Sequence, residues 1–279
     1  MLLTMVKIYT DTNVLHYFGE AFRTQAVPPE IAVELLLAPI ALLELLSQLG
    51  TRDAESAFAA VHALPRVHNP QHCGVLPWSD DFFRMCLFNL SPEKDVMIQS
   101  LNNAIVRVLN ATSAGELKSD GDEMRAMMDA GKQQALADFT ALRDSMRAEG
   151  RLDPIQDKTI FAQSIARKAG IAPESVDVDA TVSNLAAHYA FEQQRIANAA
   201  TNPEYNLAKR INDAYDSELL VYLADPSLHL LTCDTGFNRA KEALKGGRIH
   251  IAKPDELRTP EGALKVLMSI TSASAPSAS

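Results

Sequence analysis

The chain has 279 residues, 47% of them hydrophobic and 22% charged, with a formal net charge of −9. It is long enough to bury a sizeable core, as one large domain or two small ones. The acidic balance excludes a general nucleic-acid coat protein, which needs positive surface. The stretch nearest to a membrane span, Leu35 to Leu49, is interrupted by Pro39, Glu44 and Gln48. The N-terminus lacks the series of features that makes a signal peptide, and the three cysteines (Cys73, Cys86, Cys233) are scattered. A reduced, cytoplasmic setting is therefore expected, with no membrane partner.

The first apolar run, Met1 to Tyr9, has strand length and ends at the polar cluster Thr10-Asp11-Thr12-Asn13. An apolar pattern restarts at Val14 and runs to Phe22. This predicts a buried strand that delivers Asp11 to its C-terminal end, with Thr12 or Asn13 starting a helix. Val27-Pro28-Pro29 is a turn. Pro39 cannot sit inside one continuous helix without cost but suits a first helical turn. The next apolar stretch therefore splits into a strand, Val33 to Leu37, and a helix, Pro39 to Leu49. Glu44 is a charged residue amid the leucines of that helix. A solvated outer-face position is as good a reading of Glu44 as a functional one.

Residues 53–63 read as another helix. The prolines at 65, 70 and 77 and the polar run Val67 to Gly74 mark a boundary. Asp95 to Ala111 has helical periodicity, Thr112 to Gly121 is a break, and residues 122–149 form a long charged helix with a methionine-rich apolar side. Val178 to Ala200 is the longest of the later helical pieces. Nothing in residues 65–205 reads as a strand. Near the end, Asn206 to Leu223 is helical, and Leu228 to Thr232 is a strand stopping at Cys233-Asp234. Phe237 to Lys245 is a helix closed by Gly246-Gly247, and Arg248 to Ala252 alternates as a final strand. After residue 256 come a C-terminal helix and a Ser/Ala-rich tail, Ser269 to Ser279, expected to be disordered. The fold class is α/β with a central parallel sheet flanked by helices and a large, mainly helical insertion.

Parallel strands bring Asp11 and Asp234 to one edge of the sheet. Glu44 lies one turn into a helix that directly follows a strand. Asp216 lies on the helix leading into the strand before Asp234, with Asp213 one turn earlier on the same face. Several carboxylates cannot share a small pocket as anions without a counter-charge. Hard oxygen donors with no neighbouring His or Cys suit Mg²⁺ or Mn²⁺ rather than zinc. Such ions activate water and steady a phosphoryl oxygen. Residues 1–50 carry 2 basic and 5 acidic groups, and residues 206–279 carry 9 of each. Neutralising the acids by metal would leave the last part locally positive.

These residues resemble the motifs of the PIN-domain nucleases, metal-dependent ribonucleases that include many toxin halves of toxin–antitoxin pairs. Asp11-Thr12-Asn13-Val14-Leu15 is similar to the first motif. The run from Ala38-Pro39 to Glu44-Leu45-Leu46 is similar to the second, with Ala38 where the family usually has Ser. Asp216-Ser217-Glu218-Leu219-Leu220 and Thr232-Cys233-Asp234-Thr235-Gly236 resemble the third and fourth. The resemblance covers residues 1–64 and 206–255 and leaves out 65–205, far longer than the family's usual connection. It implies that Asp11, Glu44, Asp216 and Asp234 hold the metal and are catalytic, with Asp213 a rival or supplement to Asp216. Thr12, Asn13 and Thr232 would orient ligand oxygens; for Asn13 a helix-start role is an equal alternative. The implied activity is an endoribonuclease using metal-activated water. The implied partners are an RNA substrate, an antitoxin-like or regulatory protein, and a second copy of the chain. Arg239 and Lys241, with Lys245 and Arg248, are candidates for positioning phosphate. A solvated helix face is the plainer reading of each, and Lys209-Arg210 stands the same way.

Two other functions fit parts of this pattern. One is a PIN-like binding or regulatory module with an idle site; the other is a nuclease that cuts DNA, since nothing identifiable reads a 2′-hydroxyl. An aspartyl-phosphate phosphatase would want a second Asp two positions after Asp11, where Asn13 stands. His68, His72, Cys73 and Cys86 lack the spacing of a zinc framework. Trp78, Phe82, Phe83 and Phe88 suit the core of the insertion better than base stacking.

Overall fold

The computed structural model describes residues 5–67, 74–93, 95–148, 158–202, 204–244 and 247–274. It is α/β, built on a four-stranded parallel sheet in the order β2-β1-β3-β4. The strands are β1 (Val6–Thr10), β2 (Val33–Leu36), β3 (Leu228–Thr232) and β4 (Ile249–Ile251). Their registers align the C-terminal ends. Tyr9 stands beside Leu36, Thr10 beside Leu231, and Thr232 beside Ile251. The connection out of β1 leads to β2 on one side, while β3 pairs on the other. The crevice beyond the carboxyl ends of β1 and β3 is thus the switch point at which ligands of open α/β sheets collect.

Helix α1 (Thr12–Ala21) starts directly after β1 because Asp11 caps it: extended at φ −77°, ψ 172°, its Oδ1 accepts from the Val14 amide at 2.8 Å. The helix thus starts at Thr12, one of the two residues expected to start it, with Asp11 itself as the cap. Helix α2 (Pro39–Ser47) follows β2 as expected, with extended Ala38 as its cap and Pro39 in its first turn. Helix α3 (Ala54–Val67) runs past the boundary expected after residue 63. Pro65 lies in its last turn, with its missing amide leaving one backbone carbonyl of the preceding turn without a helical donor.

The middle of the chain contributes α4 (Ser79–Phe88), α5 (Asp95–Asn110), α6 (Lys118–Ala148), α7 (Lys158–Lys168), α8 (Val178–Asn184) and α9 (Ala186–Thr201). Helix α6 begins inside the stretch expected to be a break. It grows out of a 3-10 turn at Ala114–Leu117, so Gly121 becomes helical. The single helix expected over 178–200 is two, interrupted at Leu185 (φ −103°, ψ 28°). His68, His72, Cys73 and Lys245 lie outside the described residues.

The last part holds α10 (Asn212–Leu219), α11 (Asn238–Ala243), α12 (Pro254–Leu257) and α13 (Pro260–Ser274), with 3-10 turns before and after α10. Helix α13 absorbs residues 269–274 of the tail expected to be disordered. Its residues Ala263, Leu267 and Ile270 are buried, so packing overrides the Ser/Ala composition.

One buried cluster spans the molecule. Ile8, Tyr9, Leu45, Leu230 and Phe237 of the sheet layer join Phe82, Phe83, Ile105, Met128 and Ile165 of the middle segment. Tyr222 is the suture: its ring meets Tyr9 edge-on at 5.5 Å and Phe82 at 4.9 Å, and its hydroxyl donates to the Pro77 carbonyl at 2.8 Å. Tyr9 in turn donates to the Leu219 carbonyl at 2.7 Å, tying β1 to α10. Among the described residues no helix is long and apolar enough to cross a membrane.

Candidate metal centre

A pocket of about 540 Å³ opens beyond the carboxyl ends of β1 and β3, and five carboxylates line it: Asp11, Glu44, Asp213, Asp216 and Asp234. They come from the end of β1, the second turn of α2, two turns of α10 and the turn after β3.

Asp11 is the most constrained. It is 6% exposed. Besides capping α1 with Oδ1, it accepts from the Thr232 hydroxyl on Oδ2 at 2.5 Å. Burial pushes its carboxyl up, the Asp234 charge adds to this, and the Thr232 hydroxyl with the Val14 and Cys233 amides pulls it part-way back. The same Thr232 oxygen accepts from the Asp234 amide at 3.0 Å, so one buried hydroxyl sets the spacing between the two strand ends. Asp234 folds its own Oδ1 onto the Gly236 amide at 2.7 Å. Across the pocket the Thr12 hydroxyl donates to Glu44 Oε2 at 2.5 Å. Half-buried Glu44 thereby faces the pocket rather than outer solvent.

Asp216 carries the electrostatic signature. Burial, then the charges of Asp234, Asp213, Glu44 and Asp11, lift its pKa to about 8. Asp213 accepts from the Tyr205 hydroxyl at 3.1 Å on Oδ2. Among the described residues no cationic side chain forms an ion pair with Asp11, Glu44, Asp213, Asp216 or Asp234.

No protein-family model, curated protein or solved structure matches this chain. The pocket must therefore be judged on its own chemistry. Among the described residues, no three His, Cys, Asp or Glu side chains stand close enough to enclose an ion. The five carboxylates thus line one pocket without any three of them standing as a ready ligand cluster, and an ion bound here would take one or two of them, with water in its remaining positions. The donor set of hard oxygens and the acidic surroundings that raise Asp216 fit such an ion.

The other expected residues divide. Asn13 is exposed and lines the pocket, Thr12 is buried in its wall, and buried Thr232 reaches it only through its bonds to Asp11 and Asp234. Arg239 and Lys241 are exposed on α11 and are not among the lining residues. Arg248 is a structural clamp: its guanidinium donates to the carbonyls of Leu223, Asp225 and Leu228 at 2.9, 2.8 and 3.1 Å. The cations that do line the pocket are Lys209 and Arg210. Gln48 was not singled out from the sequence, although it stands one helical turn after Glu44, and that spacing was the available signal. Its Oε1 meets His16 Nε2 at 2.7 Å, and His16 Nδ1 meets Ser56 Oγ at 2.9 Å, so the glutamine is held in place at the pocket wall.

Proposed function

We propose that this chain is a PIN-like, divalent-metal-dependent endoribonuclease. Residues 1–64 and 206–255 would frame the site, and residues 65–205 would be an elaboration of it. The observation that carries the reading is the convergence of five carboxylates from four separate chain segments on one pocket, without a paired cation. A protein does not gather like charges in one pocket for stability, because each raises the cost of ionising the others. Bound Mg²⁺ or Mn²⁺ would supply activation of water and neutralisation of charge at a phosphoryl oxygen.

The chain's own residues have distinct parts. Asp11, fixed on both oxygens, is the rigid donor. Glu44 is aimed by Thr12, and Asp234 by Thr232 and Gly236. Asp216 holds a proton at neutral pH until a cation arrives, which keeps the empty pocket from repelling itself apart. Lys209 and Arg210 at the rim offset the acids towards an incoming phosphate backbone. No side chain here is set as a nucleophile. The test is cleavage of end-labelled RNA in Mg²⁺ or Mn²⁺. The wild type should cleave, and Asp11→Asn and Asp216→Asn should each lose at least about a hundredfold. Equal cleavage by either variant would contradict the assignment.

A further inference from the structure

The acid pocket does not end at Asp216. A second hollow of about 390 Å³ adjoins it, sharing Arg210, Asp213, Asp216 and Asp234. Its far wall is α9, in the segment that the PIN motifs leave uncovered. Phe191, Gln194, Arg195 and Asn198 recur there at helical spacing and line one face. This wall differs from the acid pocket in kind, being amide and aromatic.

Its parts are held. Phe191 stacks on Phe237 with centroids 5.6 Å apart and planes at 22°. Arg195 is fixed by Glu192 at 2.8 Å and lies 4.2 Å over the Phe139 ring. Tyr205, at the junction of the two hollows, is pinned through its hydroxyl to Asp213. The side-chain amides of Gln194 and Asn198, by contrast, have no hydrogen-bond partner among the described residues. Two idle amides on a fixed frame, next to a half-buried tyrosine, form a surface that can hydrogen-bond the edge of a flat heterocycle while an aromatic ring covers its face.

Resting on the nuclease reading above, we infer that the α9 wall is a base-reading subsite for the nucleotide next to the cleaved phosphate, selective for an amino-bearing base and for adenine above all. An amide offers a donor and an acceptor side by side, matching the ring nitrogen and exocyclic amine of adenine. The neighbouring carboxylates favour that amine and repel the carbonyl oxygens of uracil. Cytosine shares the amine but offers a smaller stacking face.

The test is fluorescence anisotropy of single-stranded rA10, rC10 and rU10 with the full chain and Ca²⁺, alongside cleavage of the same oligomers in Mg²⁺. The expected order is rA10, then rC10, then rU10, with about tenfold between first and last. Gln194→Ala/Asn198→Ala should erase that preference while changing rU10 affinity less than about twofold. Asn198→Asp, which keeps shape but removes the donor, should do the same in part. A flat or reversed order, an unchanged preference in the double variant, or no RNA binding overturns the subsite and leaves that wall to a protein ligand. Base-selective binding without metal-dependent cleavage would sink the nuclease reading alone. Cleavage indifferent to base and to both variants would sink the subsite alone.

Discussion

Thr232 does more for the pocket than any single carboxylate. Fully buried, it donates to Asp11 and accepts from the Asp234 amide. Thr232→Val keeps the shape and removes both bonds, leaving a buried carboxylate oxygen short of a donor. It should lower stability by about 1–3 kcal/mol in urea unfolding, whereas Thr232→Ser should recover most of the loss. Equal midpoints for Thr232→Val and the wild type would show that the hydroxyl is not a support. At this scale the strand-end acids were legible in the sequence, because an apolar run stopped at each and the pattern of parallel strands placed them together. Glu44 was ambiguous, since helix geometry alone does not say which face of α2 meets the pocket; the Thr12 hydroxyl decides it. Arg248 was misleading: its charge suggests phosphate, yet its hydrogen bonds all go to backbone carbonyls. Nothing local in the sequence reveals that.

Among the elements, α6 and the 3-10 turn Gln48–Gly50 approach as closely as backbones can. A Cβ on Gly121 would fall 2.2 Å from the Gly50 nitrogen and 2.6 Å from the Leu49 carbonyl carbon. Both are backbone atoms and cannot swing aside, so Gly121→Ala must push α6 away from α2, which carries Glu44. The expected loss is about 1–3 kcal/mol in urea unfolding, with metal-dependent activity falling alongside. Retained stability would mean the crossing has slack. Read from sequence, Gly121 looked like part of a break, because glycine and serine dominate its neighbourhood; only the facing glycine at 50 shows why a helix needs it. The end of α3 and the tail in α13 were misplaced for one reason. Local composition marked a stop, and burial of residues such as Leu64 and Ile270 carried the helix through it. The reverse happened at Leu185, where helical composition continued and the backbone broke.

For the molecule as a whole, buried groups of two opposite kinds shape the pH response. His188 is neutral, its pKa brought to about 4 chiefly by burial, and its Nδ1 lies 2.9 Å from the Ser217 carbonyl, beside Asp216. A base with a depressed folded pKa contributes stability above its unfolded pKa and loses it as pH falls from about 6.5 to 4. Asp216, raised to about 8, works in the opposite sense: folding binds its proton, so stability falls as pH rises from about 4 to 8. Half-buried His250, also brought to about 4, adds to the His188 slope below about pH 6.5, and above that pH the Asp216 slope remains. Metal-free protein should therefore lose stability between about pH 6.5 and 8 in urea unfolding, and Asp216→Asn should flatten that decline. A wild-type curve that stays level in EDTA across this range would contradict the pocket's electrostatics. The parallel sheet and the meeting of Asp11 and Asp234 at one of its edges could be argued from apolar runs and turn signals. The way residues 65–205 enter the same core through Phe82 and Tyr222 could not, because contacts across more than a hundred residues leave no period in a single sequence.

The proposed function requires that the carboxylate pocket bind a divalent cation. Mn²⁺ titration followed by electron paramagnetic resonance, at pH 7.5, measures this without relying on any substrate. The wild type should take up Mn²⁺, and Asp11→Asn and Asp216→Asn should each weaken that uptake by about tenfold or more. Mn²⁺ uptake that is absent from the wild type, or equal in all three proteins, would contradict the account.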